Sequence, residues 1–471
     1  MERTRTRTSA IAAAVVALAC LETPMASADP LLAGTAVVDI TPPAGYRMSG
    51  YFYERLSTGT LNPLHAKALA LRQGKVRAAM VFCDLIGLSP GVSSRARKRA
   101  AAKTGIPEEN ILLAATHTHT GPLYWTALRK HLHDVAVAKH GRDPCEKVDY
   151  PRRLVGRLVE AIVKADAAAA PVKLSAGSTQ QKGLSFNRRF HMKDGTVRFN
   201  PGFQNPDIVR AAGPIDPQVG VVLLTGAADA KVRAAIVNFA LHLDTTGGTK
   251  YAADYPYYVE RTLRKALGEE LVLLFGTGTC GDINHFDVTK RKQLRTRAIG
   301  TTLGETVSAA MGKLKGGAGA RLAVRREIVH APLQRVSRER LARARENIKK
   351  VGTRKLSFLE QVEAYKVLAL HLRGGETIPL EVQAFRLSNE VAVVGLPGEV
   401  FVEIGLAIKR ASPFATTLVV ELCNDAPGYL PTKKAFAEGS YETVNSRIAP
   451  GGAEMLVEAA AKLLKTLAPS R

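Results

Sequence analysis

The chain is short of the residues that small or fibrous proteins depend on. It has 5 cysteines in 471 residues, one tryptophan and 6% aromatics, which excludes a disulfide-stapled miniprotein. It shows no internal repeat, no heptad seam and no low-complexity linker, so solenoids, long coiled coils and collagen-like rods are excluded as well. Beyond the first thirty residues no apolar run reaches the roughly 20 residues that a bilayer crossing needs. Negative charge is also scarce: 42 Asp and Glu face 66 Lys and Arg, a formal net charge of +24. That surplus favours anionic partners such as nucleic acid, acidic lipid or cell-wall polymer, and says nothing about fold. What is present is globular in proportion, 46% hydrophobic and 23% charged. The length suits roughly two to four domains of about 150 residues, or one large catalytic domain.

The start of the chain bears on the compartment. Arg3, Arg5 and Arg7 precede the apolar run Ile11 to Ala19, and Ala26-Ser27-Ala28 follows. This is the layout of a secretory signal peptide. The expectation is therefore a signal peptide over 1–28 and a secreted or periplasmic mature chain over 29–471. Lipid anchoring at Cys20 is the alternative, but Ala17 stands where a lipobox has Leu. Four cysteines then remain, Cys83, Cys145, Cys280 and Cys423. They permit disulfides outside the cytoplasm, form no zinc-type pairs, and fix no connectivity.

From Leu32 onward, short apolar β-branched runs alternate with Ala-rich and Arg-rich helical patterns, which reads as mixed α/β. Strands are expected at 76–83, 111–115, 219–224, 232–240, 271–275, 391–395 and 417–422. Helices are expected at 91–103, 148–169, 255–267, 291–315, 399–411 and 452–467. The stretch 336–373 reads as two charged helices joined at Val351-Gly352, an inserted lobe whose Arg and Lys residues form a solvated face. Residues 185–217, rich in Asn, Arg, Gly and Pro, read as a long irregular segment that belongs to a site.

The sharpest local signal is Thr116-His117-Thr118-His119-Thr120-Gly121-Pro122, directly after the apolar run Ile111 to Ala115. If strand geometry continues, His117 and His119 share a side, because side chains two apart share a face. Two imidazoles on one side suit a metal, although spacing alone also allows an incidental pair. His242 ends another expected strand and is followed by Asp244. His131, His133, His140, His65 and His191 read as ordinary surface or turn histidines. The glycine-rich turn from Gly276 to Asn284 lacks a Gly-Lys-Ser/Thr ending. It is open to two readings, a tight turn or close backbone approach to a substrate, with Asp282 and Asn284 on one side. Glu399, after Leu396-Pro397-Gly398, reads as the start of a helix, where the helix dipole favours negative charge. Tyr429 follows a strand and a turn.

In order, Asp39-Ile40-Thr41-Pro42, Gly50-Tyr51, the Thr116 to Pro122 segment, Asn187-Arg188, Asn238 to His242, Gly281-Asp282, Leu396 to Glu399 and Asn424 to Tyr429 resemble the neutral (alkaline, non-lysosomal) ceramidase family. The match runs from about Gly34 to Pro450. The resemblance implies an α/β catalytic domain that hydrolyses an N-acyl amide, ceramide, with zinc-activated water. It implies His117, His242, Glu399 and Tyr429 as zinc ligands, His119 and Asp282 as catalytic residues, and Arg188 and Asn284 at the substrate. Two imidazoles, a carboxylate and a phenol oxygen form a donor set that zinc accepts.

Two departures accompany it. The family's Gly-Asp-Val-Ser-Pro-Asn carries a pocket Ser where this chain has Asn284, in Gly281-Asp282-Ile283-Asn284-His285-Phe286. The match also stops near Pro450, without the immunoglobulin-like domain of longer ceramidases. The expected partners are an acyl-amide or lipid substrate and an anionic membrane or cell-wall surface. Two rival readings stand beside this one: a zinc amidase or esterase acting on a non-sphingoid or cell-wall acyl compound, and a noncatalytic basic envelope-binding protein. Export and the lack of any nucleic-acid motif set nucleic acid aside. Oligomeric state is left open.

Overall fold

The computed structural model describes residues 29–317, 321–351, 353 and 355–469. The expected signal peptide, with Cys20, and the helix junction at Gly352 lie outside them. The apolar runs become strands buried on both faces. In Val76–Cys83, Ala78, Met80 and Phe82 point into one core and Ala79, Val81 and Cys83 into another. This is the period of two of a pleated strand, and double burial is why the run is continuously apolar.

The larger sheet runs in the order Val272–Thr277, Val232–Phe239, Gln218–Gly226, Ala170–Gln180, Leu32–Asp39, His65–Gln73, Val76–Cys83, Ile111–Ala115, with Lys315–Gly316 added beside Ala170–Gln180. A second sheet orders Ala323–Pro332, Thr377–Arg386, Val391–Gly395 and Thr416–Val420. The two pack face to face, with Met80, Phe82, Leu112, Ile236 and Leu274 on one side and Phe385, Val393, Leu418 and Val420 on the other. Helices close both outer faces. Pro90–Thr104 and Tyr150–Ala167 cover one half of the larger sheet, and Tyr255–Leu267 and Thr296–Ala310 the other half. Val402–Ala411 and Glu454–Leu467 cover the smaller sheet. The mixed α/β expectation holds, as four layers: helix, sheet, sheet, helix.

Three local expectations change. The helix expected over 291–315 spans Thr296–Ala310, because the Gln293 side-chain amide accepts from the Asp287 N–H and donates to the Asp287 carbonyl, closing a separate turn first. The segment 185–217 is not irregular throughout: Arg189–Met192, Val197–Phe199 and Ile208–Ala211 form a small sheet. The polar stretch holding His131, His133 and His140 is the helix Ala127–His140, capped by the Thr126 hydroxyl and by left-handed Gly141.

The two charged helices, Arg338–Ile348 and Phe358–Arg373, leave from the end of a hairpin in which Ala323 pairs with Arg386 and Pro332 with Thr377. Ser357 and Glu360 make a capping box that starts the second helix. Its inner face turns back over the body: Phe358 and Tyr365 lie 5.7 and 6.2 Å from the Phe52 ring. The four described cysteines are free thiols.

Candidate metal centre and its cavities

The site forms where parallel strands end together. Val76–Cys83 runs parallel to Ile111–Ala115, Val232–Phe239 to Val272–Thr277, and Val391–Gly395 to Thr416–Val420. Their carboxyl ends release His117, His242 and Glu399 into one space, the position that open α/β sheets favour for ligands. His117 is not in extended strand geometry; its φ of 78° bends the chain away from the sheet. His117 and His119 nevertheless meet, with their Nε2 atoms 3.4 Å apart.

Each buried imidazole is oriented from behind. His117 Nδ1 donates to the Ile86 carbonyl at 2.7 Å, and His242 Nδ1 faces the Cys280 carbonyl at 3.3 Å. Both Nε2 atoms are thereby aimed inward, and they lie 3.0 Å apart. Backbone carbonyls fixing the distal nitrogen are the usual support of metal-ligating histidines. Glu399 Oε2 stands 3.4 Å from His117 Nε2 and 3.9 Å from His242 Nε2. It is buried and has no hydrogen-bond partner, an orphan that a cation would satisfy. His117, His119 and His242 together meet the spacing of a three-nitrogen metal group, which places His119 against the other two imidazoles. Tyr429 pairs with Glu399 in a parallel two-strand bridge, and its hydroxyl accepts from Arg188 Nη2 at 3.0 Å. These donors fit a zinc ion.

Glu399 therefore does not start a helix, contrary to the sequence expectation. That bridge holds it extended, and Val402–Ala411 begins three residues later, with the Val402 N–H taken by Asp282 Oδ1 at 2.9 Å. Behind the centre lies Glu421, a fully buried carboxylate. It accepts from the Val400 and Cys280 N–H groups at 2.7 and 3.2 Å and from the Cys280 thiol at 3.1 Å. Burial raises its pKa to about 8. Glu421 was missed in the sequence, although a carboxylate closing the apolar run Leu418-Val419-Val420 is itself a signal.

Electrostatics separate the three imidazoles. Burial opposes charge on His117, but the Glu399 carboxylate outweighs it and the net shift is upward. Burial and the neighbouring His117 push His119 and His242 well down, so both offer lone pairs at neutral pH. Asp244 Oδ1 is 3.6 Å from His119 Nδ1 and accepts from the Tyr51 hydroxyl at 2.7 Å.

The other residues singled out divide into two groups. Arg188 is buried; Nε pairs with Glu442 at 2.8 Å and Nη2 with the Gly281 carbonyl at 2.7 Å, while Nη1 has no partner among the described residues. Asn284 lines the same cavity as Arg188, His119 and His242. Its amide is already engaged, donating to Asn200 Oδ1 at 2.7 Å and accepting from the Phe286 N–H at 3.0 Å. Asp282 is set apart: its oxygens take Asn187 Nδ2 at 2.8 Å and the Val402 N–H, and it lines neither cavity. The sequence expectation of Asp282 facing the substrate beside Asn284 gives way to a structural position behind the turn. The glycine-rich turn packs in the same sense. A Cβ at Gly281 would meet the Glu399 carbonyl at 2.6 Å, and one at Gly278 the Ala240 nitrogen at 2.9 Å. Close approach is to neighbouring strands, and the two-residue strand Ile283–Asn284 follows in place of a phosphate-binding helix.

Two cavities adjoin the cluster. One, of about 180 Å³, is walled by residues such as Ile86, Leu123, Trp125, Leu128 and Leu422, and reaches His117, His119 and Glu399. The other, of about 290 Å³, is bordered by Arg188, Asn200, Asp244 and Asn284. Gly50, Tyr51, Phe52, His119, Tyr429 and Tyr441 border both.

No protein-family model matches the sequence, and no curated protein matches it. Solved structures do share its fold. A neutral ceramidase from Pseudomonas aeruginosa superposes with a TM-score of 0.68 at 20% identity, over 94% of this chain and 76% of that one. A ceramidase complexed with C2 gives 0.66 at 19% identity over the same shares. The chain has the fold of the neutral ceramidase structures.

Proposed function

We propose that this protein is a zinc-dependent hydrolase of N-acyl amides of the ceramide type, exported and acting outside the cytoplasm. The observation that carries the reading is the convergence of His117, His119, His242 and the unpartnered Glu399 Oε2 beside a largely apolar cavity, on a ceramidase fold. His117, His242, Glu399 and Tyr429 would hold the ion, with His119 beside it. Zinc supplies Lewis acidity at the scissile carbonyl and lowers the pKa of water to about 7.

The protein's own groups supply the rest. His119, uncharged at neutral pH, takes a proton from the attacking water at Nε2 and passes it to the leaving amine nitrogen as the C–N bond breaks. Arg188 keeps the Tyr429 phenol in place through Nη2 and offers Nη1 to the polar half of the substrate. Phe52, Phe358 and Tyr441, within 6.4 Å of one another, keep water from an apolar chain. Asp282 and Glu421 hold the backbone that carries Glu399. Asn284 keeps a second substrate class in view, a non-sphingoid acyl compound, because its amide occupies space where a hydroxyl would leave room.

The test is direct: the purified protein, assayed for zinc, is offered ceramide, short N-acyl amines and acyl esters. Zinc at about one per chain and cleavage of an amide, lost on chelation, is the expected result. A zinc-replete protein inert towards the whole panel would reduce the site to a structural remnant on a basic envelope-binding protein.

A further inference from the structure

The cavity beside the metal cluster carries two donors that the fold leaves unused and one guanidinium without a counter-ion. Trp125 Nε1 and Tyr365 Oη are buried without a partner, and both residues line this cavity. Arg447 lines it too. One of its nitrogens, Nη1, donates to the Pro427 carbonyl; the guanidinium makes no ion pair among the described residues. Asp425 is the carboxylate that acts on it most strongly, from beyond ion-pair distance, and burial holds Asp425 itself up at about 6. The other cation on the wall, Lys366, is already bound to Glu363 at 2.8 Å and Gln334 at 3.1 Å.

A half-buried guanidinium without a counter-ion is costly to keep in an apolar wall. Trp125 can only donate, the Tyr365 hydroxyl can donate, and Arg447 is a cation; Glu399 Oε2, the unpaired acceptor that also borders this cavity, belongs to the metal cluster. The remaining set matches a ligand made of acceptors. The planar fork of Arg suits a carboxylate, whose two oxygens also have lone pairs for the two neutral donors. A phosphate would bring a second charge that no second unpaired cation on the wall answers. We propose that this cavity is a subsite for a carboxylate on the amide substrate, with Arg447 as its counter-ion and Trp125 and Tyr365 as neutral donors. The preferred substrates are then N-acyl amides bearing a carboxylate, such as N-acyl amino acids. This rests on the amidase reading above and narrows it.

The test uses the zinc-loaded protein with three matched amides: N-dodecanoylglycine, N-dodecanoylethanolamine and N-dodecanoylphosphoethanolamine. Wild type should favour the glycine conjugate over the ethanolamine conjugate in kcat/KM by about tenfold or more, the range of a hydrogen-bonded charge. Arg447→Gln should pull that ratio towards one, mainly through KM, and Arg447→Lys should keep part of it. Should Arg447→Gln not fold, Tyr365→Phe removes a single O–H and should lower the same ratio about threefold. Equal rates on charged and neutral amides, or a ratio unmoved by these variants, overturns the subsite and leaves the amidase reading intact. Preference for the phosphate conjugate also overturns it. If no amide is cleaved, calorimetric binding decides: glycine-conjugate binding weakened by the Arg447 variants supports the subsite while the amidase reading falls, and absence of binding overturns both.

Discussion

His117 and His242 face each other through their Nε2 atoms across 3.0 Å, each with its Nδ1 turned to a backbone carbonyl. They come from strands 125 residues apart in the chain. Two imidazole lone pairs at that distance repel unless a proton or a cation lies within reach of both, and Glu399 Oε2 beside them is unpartnered.

Metal content should therefore depend on this pair. His117→Ala or His242→Ala is expected to lower zinc occupancy severalfold and to abolish amide cleavage, since loss of one of four ligands removes much of the affinity. Atomic emission on dialysed protein reads it. Full occupancy in the double variant would show that the ion, if bound, is elsewhere.

Asn284 should set the choice among amides. Its side chain ties Asn200 to the turn before Phe286, so Asn284→Ser both widens the cavity that holds Arg188 and frees Asn200. Long-chain ceramide should be a poor substrate of the natural protein and a better one of the variant, at unchanged zinc content. The lost bonds should cost about 1–2 kcal/mol of stability. Identical ceramide rates for the two proteins would remove position 284 from the specificity argument.

Phe358 ties the two charged helices to the cleft. Its ring lies 5.7 Å from Phe52 and 5.3 Å from Tyr441. Phe358→Ala should raise KM for a long-chain amide about two- to tenfold, the worth of such aromatic pairs, with little change in kcat and none in zinc. A KM that stays put would mean that these helices do not contribute to binding.

Asp84 should make stability pH-dependent. It is buried, accepts from the His65 N–H at 2.9 Å, and burial raises its pKa to about 6. The folded state thus holds this proton more tightly than the unfolded chain, whose value is near 3.8. The group costs most above about pH 6, and the cost disappears as pH falls from there towards 4. Asp84→Asn should stabilise the protein at pH 8 by up to about 3 kcal/mol and have little effect at pH 4. Urea unfolding of both proteins at the two pH values measures this; an equal difference at both would assign the effect to packing alone.

The layered α/β fold was legible from residues such as Val76–Cys83 and Ile111–Ala115, because strands buried on both faces must be continuously apolar. The ends of those runs also flagged His117, His119 and His242, since polar groups directly after buried strands stand at the rim of a sheet. Family resemblance supplied Glu399 and Tyr429, which their local sequence presents as a helix start and a turn residue. Their actual conformation is a parallel bridge between residues 30 apart, and no local pattern encodes a pairing that depends on how two chain segments meet. The same holds for Glu421, whose donors Val400 and Cys280 arrive from other segments of the chain, and for the charged helices at 336–373. Their polar face is set by composition. That their other face reaches Phe52 and supplies Tyr365 to a cavity shared with Trp125 and Arg447 was decided only by packing, because long-range burial, unlike periodicity, leaves no repeat in the sequence to read.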